Sequence, residues 1–140
     1  MKQFRFSLAA VLKLAKRRDQ AAQAALARWS AELAALRARE RMLKAATLQA
    51  SRDASLAGPT SALSAAYFAS LTAQRVESAN GISRAGAERR RARTDWMAAR
   101  QRRRSLERLE DARREEYRSE MFRQEQRELE QLSAWSEGGR

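Results

Sequence analysis

The sequence predicts an all-α protein, a long antiparallel two-helix coiled coil in which the second helix is the longer. Three observations lead to this prediction. Ala, Leu, Glu, Arg and Gln, which favour helices, dominate a chain of 140 residues. Apolar residues recur at alternating steps of three and four from Phe4 onward, which is the spacing of a coiled-coil seam. The chain has one proline, Pro59, and it divides the pattern in two.

The first helix is predicted over about residues 5–54. The basic, acid-poor opening resembles an import presequence, but the apolar period continues far beyond the point at which a removable peptide would end. We therefore interpret the opening as the start of a packed helix. Leu12 and Leu26 widen its apolar stripe. The predicted seam comprises Phe4, Leu8, Val11, Ala15, Arg18, Ala22, Ala25, Trp29, Leu33, Leu36, Glu40, Leu43, Thr47 and Ala50.

A turn is predicted at residues 56–61, because Gly58 and Pro59 disfavour a helix there. The second helix follows over about residues 62–135, and the whole chain is predicted to be one domain. Gly81 and Gly86 weaken this helix by about 1 kcal/mol each, which leaves open a break at residues 80–86.

The short turn requires the helices to run antiparallel. A continuous second helix places residue i opposite about 115 − i, and therefore Leu8 near Leu106 and Phe4 near Leu109. On this register roughly 25 C-terminal residues extend beyond the first helix. The rival register pairs residues 4–53 with residues 83–132 and treats 61–80 as a separate short helix.

The composition argues against an enzyme. The chain contains no cysteine and no histidine, so it lacks thiol nucleophiles, imidazole bases and the usual transition-metal ligands. It also contains no phosphate-binding glycine loop and no GxSxG motif. No apolar run approaches the ~20 residues that cross a bilayer. We therefore expect a protein that binds other molecules, without a cofactor or a metal ion.

The net charge of +12 is unevenly distributed. It is +8 over residues 1–55 and −3 over residues 105–140. Eight arginines fall within residues 88–104, beside Trp96. This pattern allows a nucleic-acid-binding coiled coil as an alternative function, but we favour a solvated helix face or contact with an anionic protein partner. In the acid-rich end, Glu110 and Arg114 are spaced to form an ion pair along one helix.

Residues 54–74 carry no charge at all. Tyr67, Phe68 and Leu71 lie within this segment, and the two adjacent aromatic side chains cannot both face a single partner helix. The segment is therefore a candidate protein-binding site. The alternative is that both rings pack on Leu43 and Leu48 across the turn.

The two ends of the chain resemble the flagellar export protein FliJ family. The opening FRFSLAAVLKLAKRR is similar to the start of that family, an F-x-F-x-L-x-x-V-L pattern followed by basic residues. The closing EEYRSEMFRQEQRELEQLSAW is similar to its ending, with Arg, Glu-Gln and Glu-Leu. The length and the central turn also match, so the resemblance covers nearly the whole chain.

This resemblance implies a cytoplasmic stalk protein, similar to the central stalk of rotary ATPases, at the inner face of the cell membrane at the flagellar base. The implied partners are the hexameric flagellar export ATPase, the export-gate membrane protein and export chaperones. No small-molecule substrate is implied, and we expect no nucleic acid. The virulence-type secretion stalk proteins are related counterparts and stay open as an alternative.

The resemblance also implies two sets of contact residues. The implied export-gate set comprises Tyr67, Phe68, Leu71, Gln74 and Ser78. The implied ATPase-ring set comprises Phe4, Leu8, Val11, Leu12, Lys13, Arg17, Arg118, Glu125 and Arg127.

Overall fold

The computed structural model describes residues 3–57 and 62–139. These residues form two α-helices, α1 (Ala9–Ala57) and the longer α2 (Ala62–Gly138), and no strand. The two helices pack against each other, so the predicted all-α, two-helix fold is confirmed. The predicted turn residues Gly58 and Pro59 lie outside the described residues.

The first helix begins at Ala9, later than residue 5, because the opening residues have a different period. Residues 3–6 are not helical, and Phe4 and Phe6 are half-buried while Gln3 and Arg5 are exposed. Alternate burial is the pattern of an extended chain, whose side chains point to opposite sides in turn. The F-x-F spacing therefore indicates an extended lead-in to α1.

The second helix is continuous through Gly81 and Gly86. A methyl group placed on Gly81 would lie 3.6 Å from both Cδ atoms of Leu36, which is ordinary van der Waals contact. A long helix that packs on a partner buries apolar side chains along their contact. The packing of α2 on α1 therefore outweighs the cost in helix stability of about 1 kcal/mol for each glycine.

Packing divides the chain into two units. The central unit is Gln20–Met97, and the terminal unit is Met1–Asp19 with Ala98–Arg140. In the central unit, Arg89 Nε donates a hydrogen bond to Ser30 Oγ at 3.2 Å, and Leu36 lies beside Gly81. Higher numbers in α1 thus face lower numbers in α2, so the helices are antiparallel in this unit. Its buried apolar residues are Leu33, Leu43, Leu71, Ala85 and Ala92.

In the terminal unit, Asp19 of α1 pairs with Arg103 of α2, and Phe4 packs on Tyr117. The helices are antiparallel here too. The predicted position of Phe4 near Leu109 is wrong by about two helical turns. The difference is already present between the two helices, because the rule of 115 − i would place Asp19 near residue 96, and Asp19 pairs with Arg103.

In its first three heptads the predicted seam of α1 is right at Ala15 and Ala22 and wrong at Leu8, Val11, Arg18 and Ala25. Val11, Arg18 and Ala25 are exposed, whereas Leu12 and Asp19 are buried. The observed inner positions keep a strict alternation of three- and four-residue steps, while the predicted series takes two steps of four in succession at Ala25, Trp29 and Leu33. The observed inner positions are Leu12, Ala15, Asp19, Ala22, Leu26, Trp29, Leu33, Leu36, Glu40, Leu43, Thr47, Ala50 and Ala54.

Candidate functional site

A charged pair lies in the seam of the terminal unit. Asp19 is only 6% exposed, and its Oδ2 lies 3.0 Å from Arg103 Nε. The Nε–H is not aligned for a hydrogen bond, so the contact is an ion pair, and Asp19 Oδ1 has no hydrogen-bond partner among the described residues. Arg103 is 31% exposed and also lies 3.8 Å from Glu107 Oε1. A buried carboxylate with one partner is costly to leave unpaired.

An aromatic contact holds the start of the chain against α2. The rings of Phe4 and Tyr117 have centroids 5.7 Å apart and are tilted by 52°. The guanidinium of Arg114 lies 5.3 Å from the centre of the Phe4 ring. Both geometries are favourable for aromatic and cation–π contacts. Phe4, from the implied ATPase-ring set, therefore has a structural contact within its own chain.

The first turns of α1, with Leu8 just before them, present a partly apolar, basic outer face. Leu8, Val11 and Leu14 are 36–47% exposed. Lys13 and Arg17 are exposed beside them. Leu12, the neighbour of Val11 and another member of the implied ATPase-ring set, is instead buried in the seam.

The C-terminal extension, defined here as residues 122–139, packs on no described part of the chain. Every one of its residues is exposed. Four large apolar side chains in it are 60–85% exposed. Single apolar residues scattered over a surface are common, but four in one short segment form an apolar patch. These side chains belong to Phe122, Leu129, Leu132 and Trp135. Their steps of seven, three and three keep them on one broad side of the helix.

Ion pairs along α2 support the helix just before this extension. The predicted Glu110–Arg114 pair is confirmed, with Arg114 Nη2 at 3.1 Å from Glu110 Oε1. Arg113 pairs with Glu116, and Arg118 lies 3.9 Å from Glu115. Each such exposed pair contributes only a few tenths of a kcal/mol. They stabilise the helix.

The implied export-gate set lies largely on the covered side of α2. Leu71 and Ser78 are buried in the central unit, and Ser78 Oγ has no hydrogen-bond partner there. Gln74 is half-buried and donates from Nε2 to Ser70 Oγ at 3.2 Å. Phe68 is half-buried, whereas Tyr67 is 52% exposed. Tyr67 is therefore the member of this set with the largest accessible surface.

Sequence reasoning missed two features of these surfaces. The Asp19–Arg103 pair is not predictable from the apolar spacing, because a charged residue interrupts that spacing and its partner is far away in sequence. The apolar side of the C-terminal extension did give a signal in its three- and seven-residue spacing. From this segment, however, only Glu125 and Arg127 were named as contact residues, and both are exposed.

Other kinds of site find no support in the described part of the chain. Residues 3–57 and 62–139 contain no cluster of three or more metal-ligating side chains. Within those ranges, neither helix has a stretch apolar and long enough to cross a membrane.

The fold and these surfaces define a class of protein, an antiparallel two-helix coiled coil with uncovered apolar side chains at its C-terminal end. The family model of the flagellar FliJ protein matches residues 4–135, which is nearly the whole chain. The chain therefore belongs to the flagellar FliJ family, and this membership implies a role related to flagellar protein export. No curated protein and no solved structure matches the chain.

Proposed function

We propose that this protein is a non-enzymatic stalk and coupling factor of flagellar type III protein export. It acts in the cytoplasm at the flagellar base, where the terminal unit contacts the hexameric export ATPase. The central unit contacts the export-gate membrane protein, and export chaperones bind the same chain. The match to a flagellar family model supports a flagellar system over its virulence-type counterparts.

The single observation that carries this proposal is the uncovered C-terminal extension. A helix with Phe122, Leu129 and Trp135 exposed to water has a free-energy gain available from any partner that buries them, at about 25 cal/mol per Å² of apolar surface. A ring of six subunits is such a partner, because its central opening can accept and cover the helix. Glu125 and Arg127 lie among these side chains and give the contact a preferred orientation.

Ring binding is tested by capture of the cognate ATPase on the immobilised full chain. Phe122→Ala with Leu129→Ala should weaken capture at least about tenfold, because the exposed side chains supply the buried area. Val76→Ala is the matched control, since Val76 is also an exposed apolar residue of α2 but lies in the central unit. Equal capture by all three proteins would remove the extension from the ring contact.

Gate binding is tested at the central unit. Tyr67→Ala with Phe68→Ala should abolish capture of the export-gate protein while the helical circular dichroism stays unchanged, because Tyr67 is exposed and Phe68 only half-buried. Val76→Ala again serves as the control. Unchanged capture by the double variant would remove the gate assignment from this segment.

A further inference from the structure

We propose that the outer face of the first turns of α1 binds the surface of a bilayer that contains anionic phospholipids. The contact is peripheral, with cations at the lipid phosphates and short aliphatic side chains at the boundary of the acyl layer. It goes beyond the export partners named above and needs none of them. Two properties of this face carry the proposal, its charge and its exposed aliphatic side chains.

The face carries cations and no acid. Its exposed basic side chains are those of Lys13, Lys16, Arg17 and Arg18. No acidic residue precedes Asp19 in the chain, and Asp19 is buried beside Arg103, so it does not neutralise the face. Cations without an acid among them attract a surface that is anionic throughout. Each Lys or Arg near such a bilayer strengthens binding about fivefold.

Aliphatic side chains lie among these cations. Val11 is 38% exposed and Leu14 is 47% exposed, and Leu14 lies one turn from Val11, Arg17 and Arg18. Leu12 points into the seam instead. Leucine and valine can enter the boundary between headgroups and acyl chains while the long basic side chains reach the phosphates. The face therefore has both parts of an interfacial membrane contact.

The α2 part of the terminal unit adds to the attraction. Asp19 pairs with Arg103 and so brings this part of α2 beside the start of α1. Residues 98–106 contain no acid. The arginines exposed on α2 here are Arg102, Arg104 and Arg108. They raise the positive potential around the face and guide the chain toward an anionic surface.

The face is already helical in the free chain. The Ala9 backbone N–H donates to the Phe6 carbonyl at 3.1 Å, and the Leu12 N–H donates to the Leu8 carbonyl at 2.9 Å. The helix then continues without interruption through the basic side chains. Binding therefore requires no folding step, and the face does not lose affinity to the ordering of a disordered segment.

The combination of groups favours a bilayer over a dissolved polyanion. The phosphates of a nucleic acid would contact the cations and leave Val11 and Leu14 in water. A bilayer covers both kinds of side chain, because its headgroups and acyl chains lie in adjacent layers. The C-terminal extension is more apolar, but its four acids and two arginines oppose its approach to an anionic surface.

Flotation of the full chain with vesicles tests the proposal. At about 0.15 M salt, wild type should bind phosphatidylcholine vesicles that contain about 30% phosphatidylglycerol and should not bind phosphatidylcholine alone. Lys13→Ala with Arg17→Ala and Arg18→Ala should lower the partition coefficient about a hundredfold, because each cation contributes about fivefold. A wild type that does not bind the anionic vesicles would overturn the proposal.

A triple variant of the central unit is the matched control. Arg37→Ala with Arg39→Ala and Arg41→Ala removes the same three charges from exposed positions of α1. Its binding should stay within about threefold of wild type, since these arginines lie outside the face. Helical circular dichroism should be unchanged in both triple variants. An equal loss of binding in the two would show that net charge and not this face is responsible, and would contradict the proposal.

A fluorescent label tests whether the aliphatic side chains enter the bilayer. The chain has no cysteine, so an environment-sensitive fluorophore on Leu14→Cys reports that position alone. Its emission should shift to the blue when the anionic vesicles are added. The same label on Met42→Cys, an exposed position of α1 in the central unit, should not shift. A shift at Leu132→Cys without one at Leu14→Cys would place the contact on the extension and contradict the proposal.

An aliphatic variant distinguishes a bilayer from phosphate in general. Val11→Ala with Leu14→Ala should weaken vesicle binding at least about fivefold, because less apolar surface enters the lipid. Duplex DNA at the same phosphate concentration should displace little of the bound wild type at about 0.15 M salt. Full displacement by DNA, or vesicle binding that the variant leaves unchanged, would show that only phosphates are recognised and would overturn the proposal. Because no ATPase or gate protein is present, none of these outcomes bears on the proposed function.

Discussion

At the scale of single residues, Asp19 and Arg103 decide which parts of the terminal unit face each other. Apolar contacts that repeat every seven residues are satisfied nearly as well after a shift of seven along one helix. A shift by one heptad would separate the Asp19 carboxylate, which is 6% exposed, from the Arg103 guanidinium. The ion pair therefore penalises the alternative registers, even though it adds little net stability.

Removing either member of this pair should have unequal effects. Arg103→Ala leaves a buried carboxylate without its cation and should lower the free energy of unfolding by about 2–3 kcal/mol. Asp19→Ala leaves an arginine that is 31% exposed and already near Glu107, and should cost about 1 kcal/mol or less. Urea unfolding followed by circular dichroism measures both. Equal losses, or the reverse order, would contradict this account of the pair.

The buried hydroxyl of Ser78 gives a second prediction at this scale. Its Oγ has no hydrogen-bond partner among the described residues, so its burial is unfavourable. Ser78→Ala should leave the stability unchanged or raise it by about 1 kcal/mol in the same urea experiment. Val76→Ala, at an exposed position of the same helix, provides the baseline. A loss greater than about 1 kcal/mol would show that the hydroxyl is bonded in solution.

At the scale of elements, small residues on α2 let α1 approach closely in the central unit. Ser78, Gly81, Ala85 and Ala92 lie on the inner side of α2 in the central unit. The larger Leu33 and Leu36 of α1 lie opposite, as do other large side chains of its seam. Large side chains against small ones fill the space between helices that pack along their length.

Both internal glycines should tolerate alanine. A methyl group on Gly81 would meet Leu36 at 3.6 Å, and one on Gly86 would meet Arg90 Nη1 at 3.6 Å. Neither contact is a clash, so Gly81→Ala and Gly86→Ala should each stabilise the protein by about 1 kcal/mol through helix propensity. Thermal unfolding measures the change. A lower melting temperature for either variant would show that α2 needs a flexible position there.

Much of the element pattern is predictable from the sequence. The number, type and relative length of the helices follow from composition and from the apolar period. Two details do not follow. The extended lead-in at Phe4 and Phe6 has too few residues to outweigh the helical period that follows. The register depends on Asp19 and Arg103. The spacing of apolar residues does not predict their pairing, because both residues are charged.

The candidate sites were less predictable than the fold. A resemblance transfers residue types by position, but it does not show which side of a helix is covered. Leu12, Leu71 and Ser78 are named as contact residues by position and are buried within the chain. Leu14 and Trp135 are exposed and were not named. Burial depends on the partner helix, whose register was predicted incorrectly in the terminal unit.

At the scale of the whole molecule, the net charge of +12 makes binding depend on the charge of the partner and on the salt concentration. The terminal and central units each carry a net charge of about +6, so both attract anionic partners at long range. Exposed pairs and patches are screened by salt. Apolar contacts at the C-terminal extension are not, and they are expected to provide the specific part of binding.

The nucleic-acid alternative is tested at this scale. If the arginines of residues 88–104 neutralised phosphates, affinity for duplex or single-stranded DNA would fall steeply as salt rises. We expect only a non-specific shift at low salt, the same for duplex and single-stranded DNA, and no shift at about 0.15 M salt. A salt-dependent shift that Arg90→Ala with Arg93→Ala abolishes would favour nucleic acid instead.

ATP hydrolysis by the cognate hexameric export ATPase, measured with and without this chain, tests whether the chain acts as a coupling factor. The wild-type chain should raise turnover about fivefold, which corresponds to a coupling of about 1 kcal/mol. The double variant Phe122→Ala with Leu129→Ala should lose this increase, while Val76→Ala should keep it. Turnover that does not change on addition of the wild-type chain would contradict the proposed coupling role.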